Sequence, residues 1–331
     1  MAASRLSHAR DAAGLVLPDA GPVAWFGAPG DADFALVEAG RITAIQPFAP
    51  AASALQARGA TVTPRPEGRF AAAIVTLPRA RDRAQDWLAE AAARTDGPVV
   101  IDGAKTDGVD AMLKAVRGRV TLSGQVAKNH GKLFWFDGTD AFDDWRQSPA
   151  PNGDGFVTAP GVFSADGIDP ASRALADALP AKLGARVADL GAGWGYLATR
   201  ILEREGVALL HLVEADRTAL DCAEANVTDP RAAFHWADAT SWRAPDRLDA
   251  VVMNPPFHVG RAADPALGRA FIAAAARALA PHGALWMVAN RHLPYEATLA
   301  ETFRDVAEAG GDRRFKILHA ARPIGPSARR A

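Results

Sequence analysis

Residues 186–214 read RVADLGAGWGYLATRILEREGVALLHLVE. An apolar run, Arg186–Leu190, meets glycines at alternate positions, Gly191, Gly193 and Gly195, and then a helical pattern over Tyr196–Arg204. A second apolar run, Leu209–Glu214, follows. Strand, glycine turn, helix and strand in that order make a βαβ unit, which requires a parallel sheet. The rhythm continues downstream. A helix is expected over Arg217–Asn226, strands over Ala232–Ala237 and Leu248–Met253, and a long helix over Asp264–Ala280. Leu267, Phe271 and Ile272 mark the buried face of that helix, with Gly283 as its stop signal. A strand over Ala284–Asn290 comes next. Phe303–Val306 and Arg314–Ala320, separated by Gly310-Gly311, are expected to form a β-hairpin.

The chain has 331 residues, enough for two domains at roughly 100–200 residues each. Ser148–Gly155, with two prolines and two glycines, suppresses regular structure and is the expected boundary between 1–147 and 148–331. Upstream, Pro22–Phe26 and Arg41–Pro47 have the composition of strands. Residues 71–103 run strand, Pro-containing loop, Ala-rich helix and strand, the same order as residues 249–290. The pattern predicts a duplicated α/β domain. A hydrophobic content of 49% with 23% charged residues excludes a disordered chain, and a single Cys excludes a disulfide scaffold or a Cys-based zinc site. No run has the apolar length of a membrane span, and the first residues lack the apolar core of a signal peptide. A cytoplasmic location with no membrane partner is the expectation.

Three groups of residues carry chemistry. Asp189 stands before Gly191, Gly193 and Gly195, where a strand-to-helix turn brings backbone close to a ligand. The spacing is GxGxG, unlike the GxGxxG of dinucleotide binders, and a carboxylate there suits a ligand ammonium better than a pyrophosphate. Glu214 ends the next strand, 23 residues after Gly191, where an acid accepts hydrogen bonds from ribose hydroxyls. Asp238 closes the third strand and suits either an adenine amino group or a local cap. Asn254-Pro255-Pro256-Phe257 follows the strand LDAVVM. Two prolines fix the backbone there and remove its donors. The Asn254 side-chain oxygen and the Pro255 carbonyl then form two acceptors for one amino group, and Phe257 offers a ring for a base to stack on. The histidines show no metal-ligand spacing, so no metal is expected. Cys222 reads as a small buried helix residue, His258 as a structural histidine and Asn290 as a supporting residue at a strand end.

Asp189–Gly195 together with Asn254–Phe257 resembles class I S-adenosylmethionine-dependent methyltransferases that act on planar nitrogen. Pro160–Asp169 (PGVFSADGID), Asn254–Gly260 (NPPFHVG) and Val288–Tyr295 (VANRHLPY) resemble the ribosomal RNA small-subunit methyltransferase C family, with the large-subunit methyltransferase G as its relative. The resemblance implies two tandem Rossmann-like methyltransferase domains, the N-terminal one degenerate. It further implies S-adenosylmethionine as cofactor, ribosomal RNA or the small subunit as partner, and methyl transfer to N2 of a guanine in 16S ribosomal RNA. Phe163 falls, by the same resemblance, in a segment covering the cofactor, though a core aromatic is equally consistent with the sequence. The N-terminal half has Thr76–Arg79 in place of Asn254–Phe257 and only Gly27–Gly30 in place of the glycine turn, so no cofactor is expected there.

The alternatives are an adenine-N6 or protein glutamine-N5 methyltransferase, and a non-catalytic RNA-binding assembly protein. A nicotinamide-dependent oxidoreductase is disfavoured by Asp189 and the glycine spacing. A monomer is the default expectation. The net charge of −1 conceals two basic segments. Lys114, Arg117, Arg119, Lys128 and Lys132 form one; Arg313, Arg314, Lys316, Arg322, Arg329 and Arg330 form the other. Either offers phosphate contacts.

Overall fold

The computed structural model describes residues 5–256, 258–259, 262–263 and 265–325. The chain divides into two compact units, 1–149 with 159–161, and 150–158 with 162–331. In the first unit the elements are α1 (Arg5–Ala13), β1 (Val23–Phe26), β2 (Ile42–Ile45), α2 (Ala49–Ala57), β3 (Thr61–Thr63) and β4 (Ala72–Thr76). They continue with α3 (Arg81–Arg94), β5 (Pro98–Ala104), α4 (Val109–Arg117), β6 (Gly124–Lys128) and β7 (Gly131–Asp137). The strands form one sheet in the order β3-β2-β1-β4-β5-β7-β6. Pairing is parallel from β3 to β5 and antiparallel at β7 and β6.

The second unit opens on a short antiparallel pair, β8 (Ala150–Pro151) and β9 (Val157–Thr158), and then α5 (Pro170–Ala178). Next come β10 (Arg186–Leu190), α6 (Tyr196–Leu202), β11 (Leu209–Glu214), α7 (Arg217–Asn226), β12 (Ala232–Trp236) and β13 (Leu248–Met253). The small pair β14 (His258–Val259) and β15 (Ala262–Ala263) precedes α8 (Pro265–Ala278), β16 (Leu279–Asn290), α9 (Tyr295–Thr302), β17 (Phe303–Gly311) and β18 (Phe315–Pro323). The main sheet runs β12-β11-β10-β13-β16-β18-β17. Counted along each sheet, that is the strand order of the first unit again, so the two units share one Rossmann-like plan. Apolar side chains fill both faces of this sheet, Val187, Leu210 and Val252 on one side and Leu190, Val251 and Met287 on the other.

The sequence reading of the second unit changes at β16, which starts at Leu279 rather than Ala284, and at two helices it did not include, α5 and α9. Gly283 does not stop the long helix, which ends at Ala278; it lies inside β16, which starts at Leu279. A Cβ on Gly283 would sit 2.9 Å from the Leu248 carbonyl oxygen, so this glycine permits close approach of two strand backbones where their register shifts. Helix α5 was not anticipated. Its signal is Asp169-Pro170: the Asp169 carboxylate accepts from the Ser172 amide at 2.8 Å and Pro170 occupies the first turn, an N-cap followed by the residue best suited to come next.

In the second unit strand order reverses between β10 and β13, where β11 and β12 lie to one side and β16 to the other. Open parallel sheets form a crevice outside the C-terminal ends of the strands at such a point. Asp189 and Asn254 stand at those two strand ends. In the first unit the matching position after β1 is Gly27, whose Cβ would fall 2.4 Å from the Trp87 ring. A Cβ on the equivalent Gly191 would meet the Phe271 ring at 3.5 Å, so an aromatic ring packs beside this turn in both units, more closely in the first.

Candidate active site

The glycine turn is built by backbone geometry that only glycine adopts readily. Gly191, Gly193 and Gly195 have φ of +78°, +56° and +93°. Gly193 has nothing within 4 Å of an added Cβ, whereas Gly195 has Val227 at 2.9 Å and Ala223 at 3.3 Å from α7. Gly195 therefore combines a left-handed conformation with a tight helix contact. Replacing it by alanine is expected to destabilise the protein by about 1–3 kcal/mol, checked by urea unfolding; an unchanged midpoint would contradict the packing described.

The turn's amides are already engaged. Gly191 N–H donates to the Val213 carbonyl, Gly195 N–H to the Ala192 carbonyl, and Gly193 N–H to Glu214 Oε2 at 2.8 Å. Glu214 Oε1 accepts from the Asp216 amide at 2.8 Å. Glu214 thus ties the turn after β10 to the N-terminus of α7, and burial raises its pKa. Asp189 lies beneath the turn with no exposed surface, and neither carboxylate oxygen has a hydrogen-bond partner. Its pKa is pushed up to about 8, first by burial and then by the Glu214 charge. An unpartnered buried carboxylate is costly unless it holds a proton or meets a cation. Two acids and a turn whose donors are largely spent suit a ligand that carries positive charge and hydroxyls, and fit a phosphate poorly.

A cleft opens over the turn, lined by Gly191, Gly193, Trp194 and Tyr196 below and by Phe163, Asp169, Ser172 and Asn254 around it. Phe163 is 60% exposed, which places it at the rim rather than in the core. Its carbonyl accepts from Trp194 Nε1 at 2.9 Å, tying the rim to the turn. Asn226 completes the support: its Nδ2 donates to the Val157 and Trp194 carbonyls, and its Oδ1 accepts from Val157 N–H. The rings of Phe156, Trp194 and Tyr196 pack together with centroids 5.0–6.2 Å apart. Asn226, Trp194 and Tyr196 were not singled out by sequence, although Trp194 and Tyr196 sit inside and beside the glycine motif.

The half-buried Asn254 follows β13. Its Nδ2 donates to Asp169 Oδ2 at 3.0 Å and to Ser172 Oγ at 2.9 Å. Gly191, Gly193, Phe163 and Asn254 thus line one cleft, while Asp189 is buried beneath the glycine turn, Glu214 is bonded to that turn, Gly195 packs on α7, and Pro255 follows Asn254. Asp238 stands apart from the cleft lining; its Oδ1 accepts from Thr240 N–H and Oγ1, the local cap that its sequence also allowed. Phe257 lies outside the described residues, as does the side chain of His258. Asn290 ends β16, and Cys222 is buried in α7. Among the described residues no three metal-binding side chains converge, and no helix is long and apolar enough to cross a membrane. Several residues of the basic segments are ion-paired: Arg119 with Asp144, Lys132 with Asp110, Lys316 with Glu296 and Arg322 with Asp305. Arg329 and Arg330 lie outside the described residues.

This strand order, with a glycine turn backed by two acids and an Asn-Pro-Pro at the facing strand end, defines a Rossmann-like class I methyltransferase fold. The chain belongs to the methyltransferase small domain family, whose profile matches residues 154–319, just over half of it. It is 38% identical over 164 residues to the ribosomal RNA large subunit methyltransferase G of Pseudomonas syringae pv. tomato, covering 48% of this chain and 44% of that protein. The protein of the same name from Alcanivorax borkumensis is 34% identical over 174 residues, 51% of this chain and 44% of its own. The match thus spans less than half the length of these curated relatives. Among solved structures, a T. thermophilus 16S rRNA N2 methyltransferase in complex with AdoMet and guanosine superposes with a TM-score of 0.75. That likeness covers 93% of this chain and 90% of the other at 24% identity, and establishes the shared fold.

Proposed function

We propose that the chain transfers a methyl group from S-adenosylmethionine to the exocyclic N2 of a guanine in 16S ribosomal RNA. The observation that carries this reading is Asn254, held at the crevice with its amide nitrogen engaged and its oxygen left to accept. Bound S-adenosylmethionine supplies an electrophilic methyl group. Glu214 accepts from the ribose hydroxyls, Asp189 pairs with the ammonium, and Gly191, Gly193 and Gly195 let the backbone lie against the ligand. Asp238 takes the adenine side through its remaining oxygen, and Phe163 closes the rim. Asn254 Oδ1 and the Pro255 carbonyl accept the two hydrogens of the target amine. That would draw the nitrogen lone pair out of conjugation, and the nitrogen, made acidic once alkylated, would release one proton to solvent. Phe257 stacks on the base, which must leave its helix to reach the site.

The fold match across most of the chain and the match to proteins named for ribosomal RNA methylation support the substrate class. Residues 148–331 are the catalytic domain in this reading, and 1–147 a degenerate copy without cofactor. The protein works as a cytoplasmic monomer on ribosomal RNA or the small subunit, without a metal. The test is methyl transfer from labelled S-adenosylmethionine to separated ribosomal subunits from cells lacking this protein, followed by nucleoside mass spectrometry. N2-methylguanosine in small-subunit RNA is expected. Label confined to large-subunit RNA would overturn the 16S assignment, and N6-methyladenosine or methylglutamine would overturn the guanine assignment.

A further inference from the structure

The Asn254 amide group could point either way, since its oxygen and nitrogen have nearly the same shape. Its surroundings decide. Asp169 Oδ2, 3.0 Å from Nδ2, is a carboxylate oxygen and can only accept while ionised. The same oxygen accepts from the Ser172 amide at 2.8 Å, so it is fixed as an acceptor by the helix cap as well. Ser172 Oγ, 2.9 Å from Nδ2, takes the second hydrogen, and Ser172 is buried. Both N–H donors of Asn254 are thereby consumed, and the amide oxygen is the atom turned away from this pair.

We propose that Asp169 and Ser172 are positioning residues that lock Asn254 as an acceptor and so restrict the site to substrates presenting an N–H donor. The inference rests on the methyl-transfer reading given above. If the amide were free to turn over, it would present its own N–H groups to the incoming amine, donor against donor, and the amine would be held out of line. The Asp169 carboxylate also polarises the amide, enriching Oδ1 in negative charge as a hydrogen-bonded chain does. The lock is tied to helix formation, because the cap that starts α5 is the group that orients Asn254. Residues 82 and 85 positions apart in sequence therefore act as one unit.

Four variants of the full chain separate the possibilities in the rRNA methyl-transfer assay: Ser172→Ala, Asp169→Ser, Asp169→Asn and, as reference, Asn254→Ala. Serine is a good helix cap but too short to reach Asn254, so Asp169→Ser keeps the start of α5 and removes the lock. Asparagine keeps an acceptor oxygen at the position of Oδ2. Asp169→Ser and Ser172→Ala are expected to lower kcat on the order of 10-fold to 100-fold, the scale of a misplaced reacting group. Cofactor Kd should stay near the wild-type value, and the melting temperature should fall by no more than the few degrees that one lost hydrogen bond costs. Asp169→Asn should recover most of the activity. If Asn254→Ala is inactive but Asp169→Ser and Ser172→Ala are as active as wild type, the lock is overturned and the catalytic reading stands. Failure of Asp169→Asn to exceed Asp169→Ser also overturns it. If Asn254→Ala itself is fully active, the catalytic reading falls first.

Discussion

Asn254→Ala is expected to lower kcat by on the order of 100- to 1000-fold, the usual cost of removing one preorganised polar group from a reacting centre. Binding of S-adenosylmethionine should be nearly unchanged. The two effects separate because the glycine turn, Glu214 and Asp238 follow β10, β11 and β12 and Phe163 precedes α5, whereas Asn254 follows β13. The variant should also fold. Asp169 keeps its bond to the Ser172 amide, so the start of α5 survives, and the lost side-chain hydrogen bonds amount to about 1 kcal/mol each. Calorimetric titration with S-adenosylmethionine alongside single-turnover methyl transfer checks both halves. Turnover at the wild-type rate, or loss of cofactor binding in parallel with activity, would each sink the assigned role.

Asp189→Asn should move stability and affinity in opposite directions. The native carboxyl has a pKa of about 8, well above that of the same group in an unfolded chain. The folded state therefore binds this proton more tightly than the unfolded state does. The proton's contribution to stability is complete below the ordinary carboxylate range and is lost as pH rises toward about 8. Asparagine cannot ionise and escapes that loss. In the absence of ligand the variant is expected to melt about 5 °C or more above wild type at about pH 8.5, with the two converging at about pH 4. The same substitution removes the charge that pairs with the ligand ammonium and should weaken S-adenosylmethionine binding at least about 10-fold. Parallel melting curves across the pH range would show that Asp189 does not carry the buried charge described here.

Fold and site were legible to different depths. Strand positions followed from apolar runs, and β10 to β13 fall within a residue of where periodicity put them, whereas β16 starts at Leu279, well before the expected Ala284. The glycines at 191, 193 and 195 announced their left-handed turn because few other residues tolerate it. Gly283 misled, since a glycine after an Ala-rich helix reads as a stop, and only the neighbouring strand shows that it serves backbone approach. The orientation of Asn254 was not legible, because its two partners come from a distant helix start. Charge counts along the chain misled in the same way. Lys132 faces Asp110 and Arg322 faces Asp305, partners supplied by other elements, so basic segments are more nearly neutral in space than in sequence.

The Trp87 indole against Gly27 and the bare carboxylate of Asp189 have a consequence for how this protein can be altered. The second unit carries an electrostatic burden at its crevice that any stabilising substitution there would tend to relieve at the expense of activity. The first unit packs the Trp87 ring against Gly27 and has Trp25 rather than an acid two residues before that glycine, so it bears no such conflict there. Thermal tolerance should therefore be gained by directed evolution chiefly through the first unit, while gains selected in the second come with lost turnover.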